Sequence, residues 1–397
     1  SKPPSTRSLT ALNWLNFFAA DISDGVGPFL AVYLASNLHW QPGHIGAAIA
    51  ATQLAMVVGQ APAGYIVDNT RRKRMPIVFA SIVGGAVALL LPFLTSFAII
   101  ICCQVVIGLA ASFYIPTLVA LASVLAGKRG FDRTIAKNQS YNHAGNVAAA
   151  VFTGVVARFT NNAGIFYCMT ALAGACMTSA LSIREQDAAG SEKSSGGDGS
   201  RKGVMRDVLR NKPFLIFLLL TVIFYFSNGA MLPLVGQELA RGKPESSTLY
   251  LAACIVIAQL VMVPTVWLAG KWAANGRKKL LAAAFVMLAA RGLLYTISDN
   301  PVYLLSLQIL DGATAGMFSV VAIMVVNDLL GGSTRANFAQ GALAAALSLG
   351  STLSNLIAGG IVQFSGFPIG FTFLSALALG ALVLLWKAMP ETVKAGE

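Results

Sequence analysis

The 397-residue chain is 56% hydrophobic and only 11% charged, yet 28 Lys and Arg against 16 Asp and Glu leave it at +12. That is far too apolar for an ordinary soluble domain. The basic excess is not a nucleic-acid signal: with the N-terminus read as cytoplasmic, every Lys and Arg falls on that side of a membrane except Arg158, Arg241, Lys243 and the intramembrane Arg291, as the positive-inside rule describes.

A membrane-crossing helix needs about 20 mostly apolar residues. Windows of that kind occur at 9–35, 44–67, 75–94, 97–126, 138–159, 163–183, 213–236, 246–270, 279–298, 302–327, 337–363 and 368–388. In lipid every backbone polar group needs an internal partner, and the alternating ten-residue segments of a barrel are absent. The expectation is an all-α membrane protein with twelve transmembrane helices. The first window is too long and too acidic for a cleaved signal peptide. Cys102, Cys103, Cys168, Cys176 and Cys254 all lie in apolar windows without a C-x-x-C pair, so they read as small buried hydrophobes, not as disulfides or metal ligands.

The first window carries Asp21 and Asp24. At 100° per residue, Asn13, Asn16, Asp21 and Asp24 share an arc of about 140°, a polar stripe suited to a cavity and not to lipid. An acid at a helix centre costs about 2.5–3.5 kcal/mol on an insertion scale, so both are candidates for function. Burial and mutual repulsion favour proton exchange at one of them. Asp24, deeper in the window, is the first choice and Asp21 the second; the alternative is a structural acid paired with a cation or capping the break near Gly25–Pro28. Phe17 adds an aromatic surface to the stripe.

After the second window comes GYIVDNTRRK, residues 64–73. In the fourth, Gln104 and Tyr114 are candidates for substrate binding, as are Asn13, Asn16 and Phe17 in the first. In the fifth, Asn138, Gln139, Asn142, His143 and Asn146 share a face; Asn142 and Asn146 suit a substrate, and His143 suits a proton relay, substrate contact or a hydrogen-bonded packing role. The hydrophilic stretch 184–212, Gly/Ser-rich at its centre, reads as a linker, with a short surface helix expected at Val204–Leu209. It separates an N-terminal six-helix bundle, 1–183, from a C-terminal one, 213–397.

The second half repeats the first. Ser23-Asp24-Gly25 recurs as Ser227-Asn228-Gly229, Gln104 as Gln308 and Gly108 as Gly312, all at an offset of 204, and Gly154 matches Gly359 at 205. Tyr225, Asn228 and Gln308 therefore join the substrate candidates. Asp311, one turn after Gln308, is a further proton-coupling candidate or the neutralising partner of Arg291, which needs an anion or a watery path inside a span. Two parallel six-helix repeats around a midplane site describe a transporter.

Taken together, the chain resembles the major facilitator superfamily along essentially its full length. The family signature after the second span, roughly G-x-L-a-D-r-x-G-r-k, is matched by Gly64, Asp68, Arg72 and Lys73, while Arg71 replaces the second glycine. A relic follows the eighth span as Asn275-Gly276-Arg277-Lys278. The resemblance implies a conformational latch, with Gly64 allowing close helix approach and Asp68 facing the N-terminus of another helix, in the family the eleventh. The family's fourth-span arginine is replaced by Gln104, and the fifth span lacks the glycine–proline pair of many antiporters.

No nucleotide loop or hydrolase motif is present, so the chain is expected not to be an enzyme and to need no cofactor or metal. The expected function is proton-coupled secondary transport by alternating access, with export of a small amphiphilic compound leading and uptake of a small organic solute as the alternative. A divalent-metal exporter and a non-transporting sensor rank lower. Its partners are protons, a small-molecule substrate and the lipid bilayer. The expected location is a bacterial inner membrane, as a monomer with both termini cytoplasmic.

Overall fold

Helix follows helix along the chain, and the breaks between them carry the information. The computed structural model describes residues 5–24, 27–188, 210–242, 244–273, 276–330 and 333–392, with the side chains of Asp21, Ser23, Asp24, Lys128, Arg129, Asp132, Ala136, Ala188, 333–338 and Gln340 outside the description. The proposed surface helix at Val204–Leu209 lies outside the described residues.

The first window forms α1 (Thr6–Asp24) and α2 (Gly27–Ser36). The second is α3 (Pro42–Asn69), and the third is α4 (Met75–Leu90) with a short 3-10 turn. The fourth and fifth are built from α5 (Phe97–Ala111) and the long α6 (Tyr114–Phe159). The sequence reading separates these spans near residue 126. The backbone parts them there: Gly127 interrupts α6 with a φ of 60° and a ψ of 178°, a conformation that glycine adopts without a Cβ penalty, so α6 is two helical segments meeting at a kink. The sixth is α7 (Gly164–Ser182), followed by the short α8 (Glu185–Ala188).

In the second half the seventh window divides into α9 (Lys212–Gly229) and α10 (Met231–Gly242). Then come α11 (Ser247–Trp272), α12 (Arg277–Leu294), α13 (Pro301–Ser306) with α14 (Gln308–Leu330), α15 (Ser333–Ser365) and α16 (Phe367–Ala388). These fill the twelve predicted passages. Nine helical stretches among the described residues are long and apolar enough to cross a membrane by themselves. The first passage of the second half breaks between α9 and α10, at Ala230. In the second half Gly229 ends the helix and the N–H of Ala230 donates to Ser354 Oγ at 2.8 Å. Pro233 falls in the first turn that follows, where a missing N–H removes no helical hydrogen bond.

Two compact units emerge. One comprises 1–40, 47–194 and 243–252; the other comprises 41–46, 195–242 and 253–397. In the first, Leu12, Leu15 and Ala19 of α1 pack with Ile77 and Ala80 of α4, Leu121 and Leu125 of α6, and Cys176 and Ala180 of α7, all buried. In the second, the core is aromatic. Phe224 of α9 stacks on Phe318 of α14 at 3.8 Å, and Phe285 of α12 meets Phe224 edge-on at 5.5 Å. These contacts bring α9, α12 and α14 together beneath the polar cluster described below.

The repeat is visible in the packing. Gly108 lies against the backbone of Thr52 and Gly312 against that of Ala258; Gly145 lies against Phe17 and Gly350 against Val222. Without the hydrophobic effect to drive helices together in lipid, such small-residue contacts let backbones approach closely. Cys168, Cys176 and Cys254 are buried as expected, whereas Cys102 is exposed, and none of the five cysteines is in a disulfide.

Candidate functional site

A buried arginine organises the polar interior of the second unit. Arg291 lies in the last turn of α12 and is 2% exposed. Its Nη1 donates to Asp311 Oδ1 of α14, while Nη2 donates to Asn228 Oδ1 of α9 and to Met231 Sδ of α10, the latter at 3.0 Å. The guanidinium also lies 5.8 Å from the ring centroid of Tyr295. Gln308 extends the network: its Nε2 donates to the Tyr295 hydroxyl at 2.9 Å and to the Leu304 carbonyl at 3.0 Å. Arg291 Nε, Gln308 Oε1, Thr314 Oγ1 and Ser227 Oγ are buried without a partner among the described residues. Three of the sequence candidates, Asn228, Gln308 and Asp311, thus belong to one cluster. Tyr225, half-buried, contacts Phe318 and Phe224 edge-on.

In the first unit the candidates divide between a packed core and a polar helix pair. Tyr114 is 1% exposed and its hydroxyl hydrogen-bonds Ser81 Oγ at 2.9 Å. Gln104 is buried and accepts from Thr52 Oγ1 at 2.8 Å. Asn13 and Asn16 are buried, and Asn16 Nδ2 donates to its own helix at Leu12 O, 2.8 Å away. The contact of Gly145 with Phe17 sets α6 against α1, with the half-buried Asn142 and the buried Asn146 on either side of that glycine. His143 is exposed. Asp21 and Asp24 occupy the last turn of α1, and their side chains lie outside the description. Trp14, Phe17, Phe18 and Tyr141 cluster by edge and face contacts at 5.3–5.9 Å. A cleft of about 370 Å³ is lined by Arg7, Trp14, Phe18 and Ser182, with no acid among the described residues that line it.

The loop after α3 is held within its own unit. Lys73 Nζ donates to the Val67 and Asp68 carbonyls, 2.8 Å each, and so closes the C-terminus of α3, where a cation is favoured. Arg74 does the same for α7 through the Leu181 and Ile183 carbonyls. Arg72 Nε pairs with Glu185 Oε1 at 2.6 Å. Asp68 is exposed, and nothing lies within 4 Å of a Cβ built on Gly64. The second unit repeats the pattern: Lys278 Nζ donates to the Trp386 carbonyl at 3.0 Å, and Arg277 pairs with Asp328 at 3.1 Å.

Several participants escaped the sequence reading. Tyr295 sits one turn beyond Arg291, a spacing that places both on one face. Glu185 and Asp187 lie in the polar REQD segment that reads as linker. Asp187 accepts from Ser8 Oγ at 2.6 Å and Ser5 Oγ at 2.7 Å, bonds that hold its carboxyl below the usual carboxylate range. Gln237 and Glu238, just past the predicted end of the seventh window, each bury an oxygen without a partner among the described residues. Among the described residues no group of three or more His, Cys, Asp or Glu could hold a metal ion.

Comparison with known proteins agrees with this architecture. The family model described as Major Facilitator Superfamily matches residues 9–275 and 262–397. An uncharacterized MFS-type transporter of Mycobacterium tuberculosis, strain ATCC 25618 / H37Rv, is 38% identical over 397 residues, covering 98% of this chain and 94% of the relative. Its counterpart in strain CDC 1551 / Oshkosh matches to the same extent. Among solved structures, the nucleoside transporter NupG superposes with a TM-score of 0.79 at 12% identity, covering 96% of this chain and 97% of that one. A D-xylose-proton symporter superposes with a TM-score of 0.74 at 13% identity, covering 97% of each. At these identities the structural likeness speaks to fold alone.

Proposed function

This chain belongs to the Major Facilitator Superfamily, and on that premise we propose that it couples proton movement to export of a small amphiphilic organic compound by alternating access. It is a membrane transporter and not an enzyme. Asp24 is the proton carrier and Asp21 its neighbour on the same stripe. The observation that carries this reading is the contrast at one repeat position. Asn228 accepts from Arg291, which Asp311 neutralises. The first half has an acid there, Asp24, while the positions 204 residues before Arg291 and Asp311 are Val87 and Ile107. Neither of those positions supplies a cation. Asp311 then serves chiefly as the counter-ion of Arg291.

In this scheme substrate entering from inside competes with the proton on Asp24, and protonation from outside favours the return. Asn13, Asn16, Phe17, Asn142 and Asn146 offer substrate contacts on the α1–α6 pair. Gln104 and Tyr114 support it from the packed core, and the exposed His143 relays protons. Gly64, Asp68, Arg72 and Lys73 form the latch. The location is a bacterial inner membrane with both termini inside, as a monomer.

Asp24→Asn in proteoliposomes tests this. Loss of pH-driven accumulation with retained folding is expected, and normal accumulation removes Asp24 from the mechanism. The missing glycine–proline pair in the fifth passage favours proton-coupled uptake as the second reading. The direction of proton flux on substrate addition separates the two.

A further inference from the structure

We infer that the second unit reads an uncharged, hydrogen-bonding head group on the substrate, through the free edge of the Asn228–Asp311 pair. This rests on the transporter reading above and names the substrate class of that site.

Both charges in the cluster are already committed. Arg291 uses Nη1 on Asp311 and Nη2 on Asn228 and Met231, and it is 2% exposed. An anionic solute would have to displace Asp311 to reach it. A cationic solute at Asp311 would share that one carboxylate with Arg291 and set a second positive charge beside a buried guanidinium, leaving the site with an uncompensated charge. The pair as it stands is electrically neutral.

What remains available is a donor beside an acceptor. Asn228 gives its Oδ1 to Arg291, so its Nδ2 has no partner among the described residues, and Asn228 is half-buried. Asp311 gives Oδ1 to Arg291, so Oδ2 is likewise unengaged, and its side chain is 17% exposed. An amide or a vicinal diol offers the complementary acceptor and donor. An ammonium offers only donors, and a carboxylate only acceptors. A site whose polar groups need both kinds of partner discriminates strongly against molecules that lack one, because a buried group is then left unpaired.

The test is a thermal-shift and tryptophan-fluorescence titration of the purified full chain with matched sets of small amphiphiles. Each set shares one apolar body and differs only in its head group: amide, vicinal diol, ammonium or carboxylate. The uncharged heads are expected to bind at least tenfold more tightly than either charged head. Asn228→Asp installs the residue found at this repeat position in the first half. It keeps the shape and an acceptor for Arg291, and it is expected to reverse the order in favour of ammonium. A native preference for ammonium or carboxylate, an unchanged order in Asn228→Asp with its unliganded melting temperature retained, or no binding of any uncharged member overturns the inference. Asn228→Ser, whose short hydroxyl cannot place a donor where Nδ2 stood and adds no charge, is expected to weaken the uncharged heads alone. Because these are equilibrium binding readouts, they are independent of proton coupling; a failed Asp24→Asn flux experiment would sink the transport scheme and leave this result standing.

Discussion

Arg291 and Asp311 are joined across α12 and α14 with the guanidinium 2% exposed and the carboxylate side chain 17% exposed. Removing one member of such a pair leaves the other charge without compensation, at about 3–5 kcal/mol, whereas replacing both by apolar groups is often close to neutral. Arg291→Met and Asp311→Leu are therefore each expected to lower the melting temperature sharply, and the double substitution to recover most of the loss. Mild single variants, or a double variant as unstable as their sum, would contradict the buried-pair description.

Tyr114 and Ser81 provide a sharper distinction between core and site. Their hydroxyls hydrogen-bond at 2.9 Å with both residues at 2% exposure or less. Tyr114→Phe leaves Ser81 Oγ unpaired and should cost about 1–3 kcal/mol, the penalty for orphaning a buried polar group. The substrate KM should stay unchanged. A large rise in KM with an unaltered melting temperature would move Tyr114 from the core to the substrate path.

These two cases show what was legible in the sequence. The twelve passages could be read because lipid imposes length and apolarity on every crossing. The repeat could be read because its polar and glycine positions recur at a fixed offset. The end of the fourth span was legible as well: Gly127 breaks the helical backbone of α6 where the polar segment begins. Side-chain partners were the least legible. Tyr114, Gln104 and Gln308 look alike as polar residues in apolar windows. One bonds a serine in a core, one a threonine on the neighbouring helix, and one extends the Arg291 cluster. Only the packing of α3, α4, α12 and α14 decides among those fates. Glu185 was missed because its value lies in the arginines folded back toward it, which no local pattern announces.

Asp187 fastens the start of α1 to the segment after α7 by accepting from Ser8 and Ser5. Those bonds favour the ionised form and depress its pKa. A depressed acid contributes stability above its unfolded pKa, near 3.9, and loses that contribution as pH falls through the lower folded value. Hydrogen exchange at the α1 N-terminus is expected to keep its protection between pH 7 and 5 and to lose it only below about pH 4. Asp187→Asn should remove the acid-dependent part. Loss of protection already between pH 7 and 5 would assign the fastening to another group.

Gly145 and Gly64 look interchangeable as small residues in apolar helices, yet their surroundings differ. A Cβ at Gly145 would meet the Phe17 carbonyl and backbone, which cannot swing aside; at Gly64 it would meet nothing within 4 Å. Overpacking a close helix contact typically costs about 1–3 kcal/mol, while alanine in place of an unhindered helical glycine gains up to about 1 kcal/mol. Gly145→Ala is expected to destabilise the first unit, and Gly350→Ala, against Val222 O, to do the same in the second. Gly64→Ala should melt at or above the native temperature. If Gly64 acts in the proposed latch, its tight approach occurs in a different conformation from this one, and the alanine variant will turn over at least tenfold more slowly despite its stability. Native turnover in Gly64→Ala would show that no conformation of the cycle needs a bare backbone there, and the latch would have to be carried by Asp68, Arg72 and Lys73 alone.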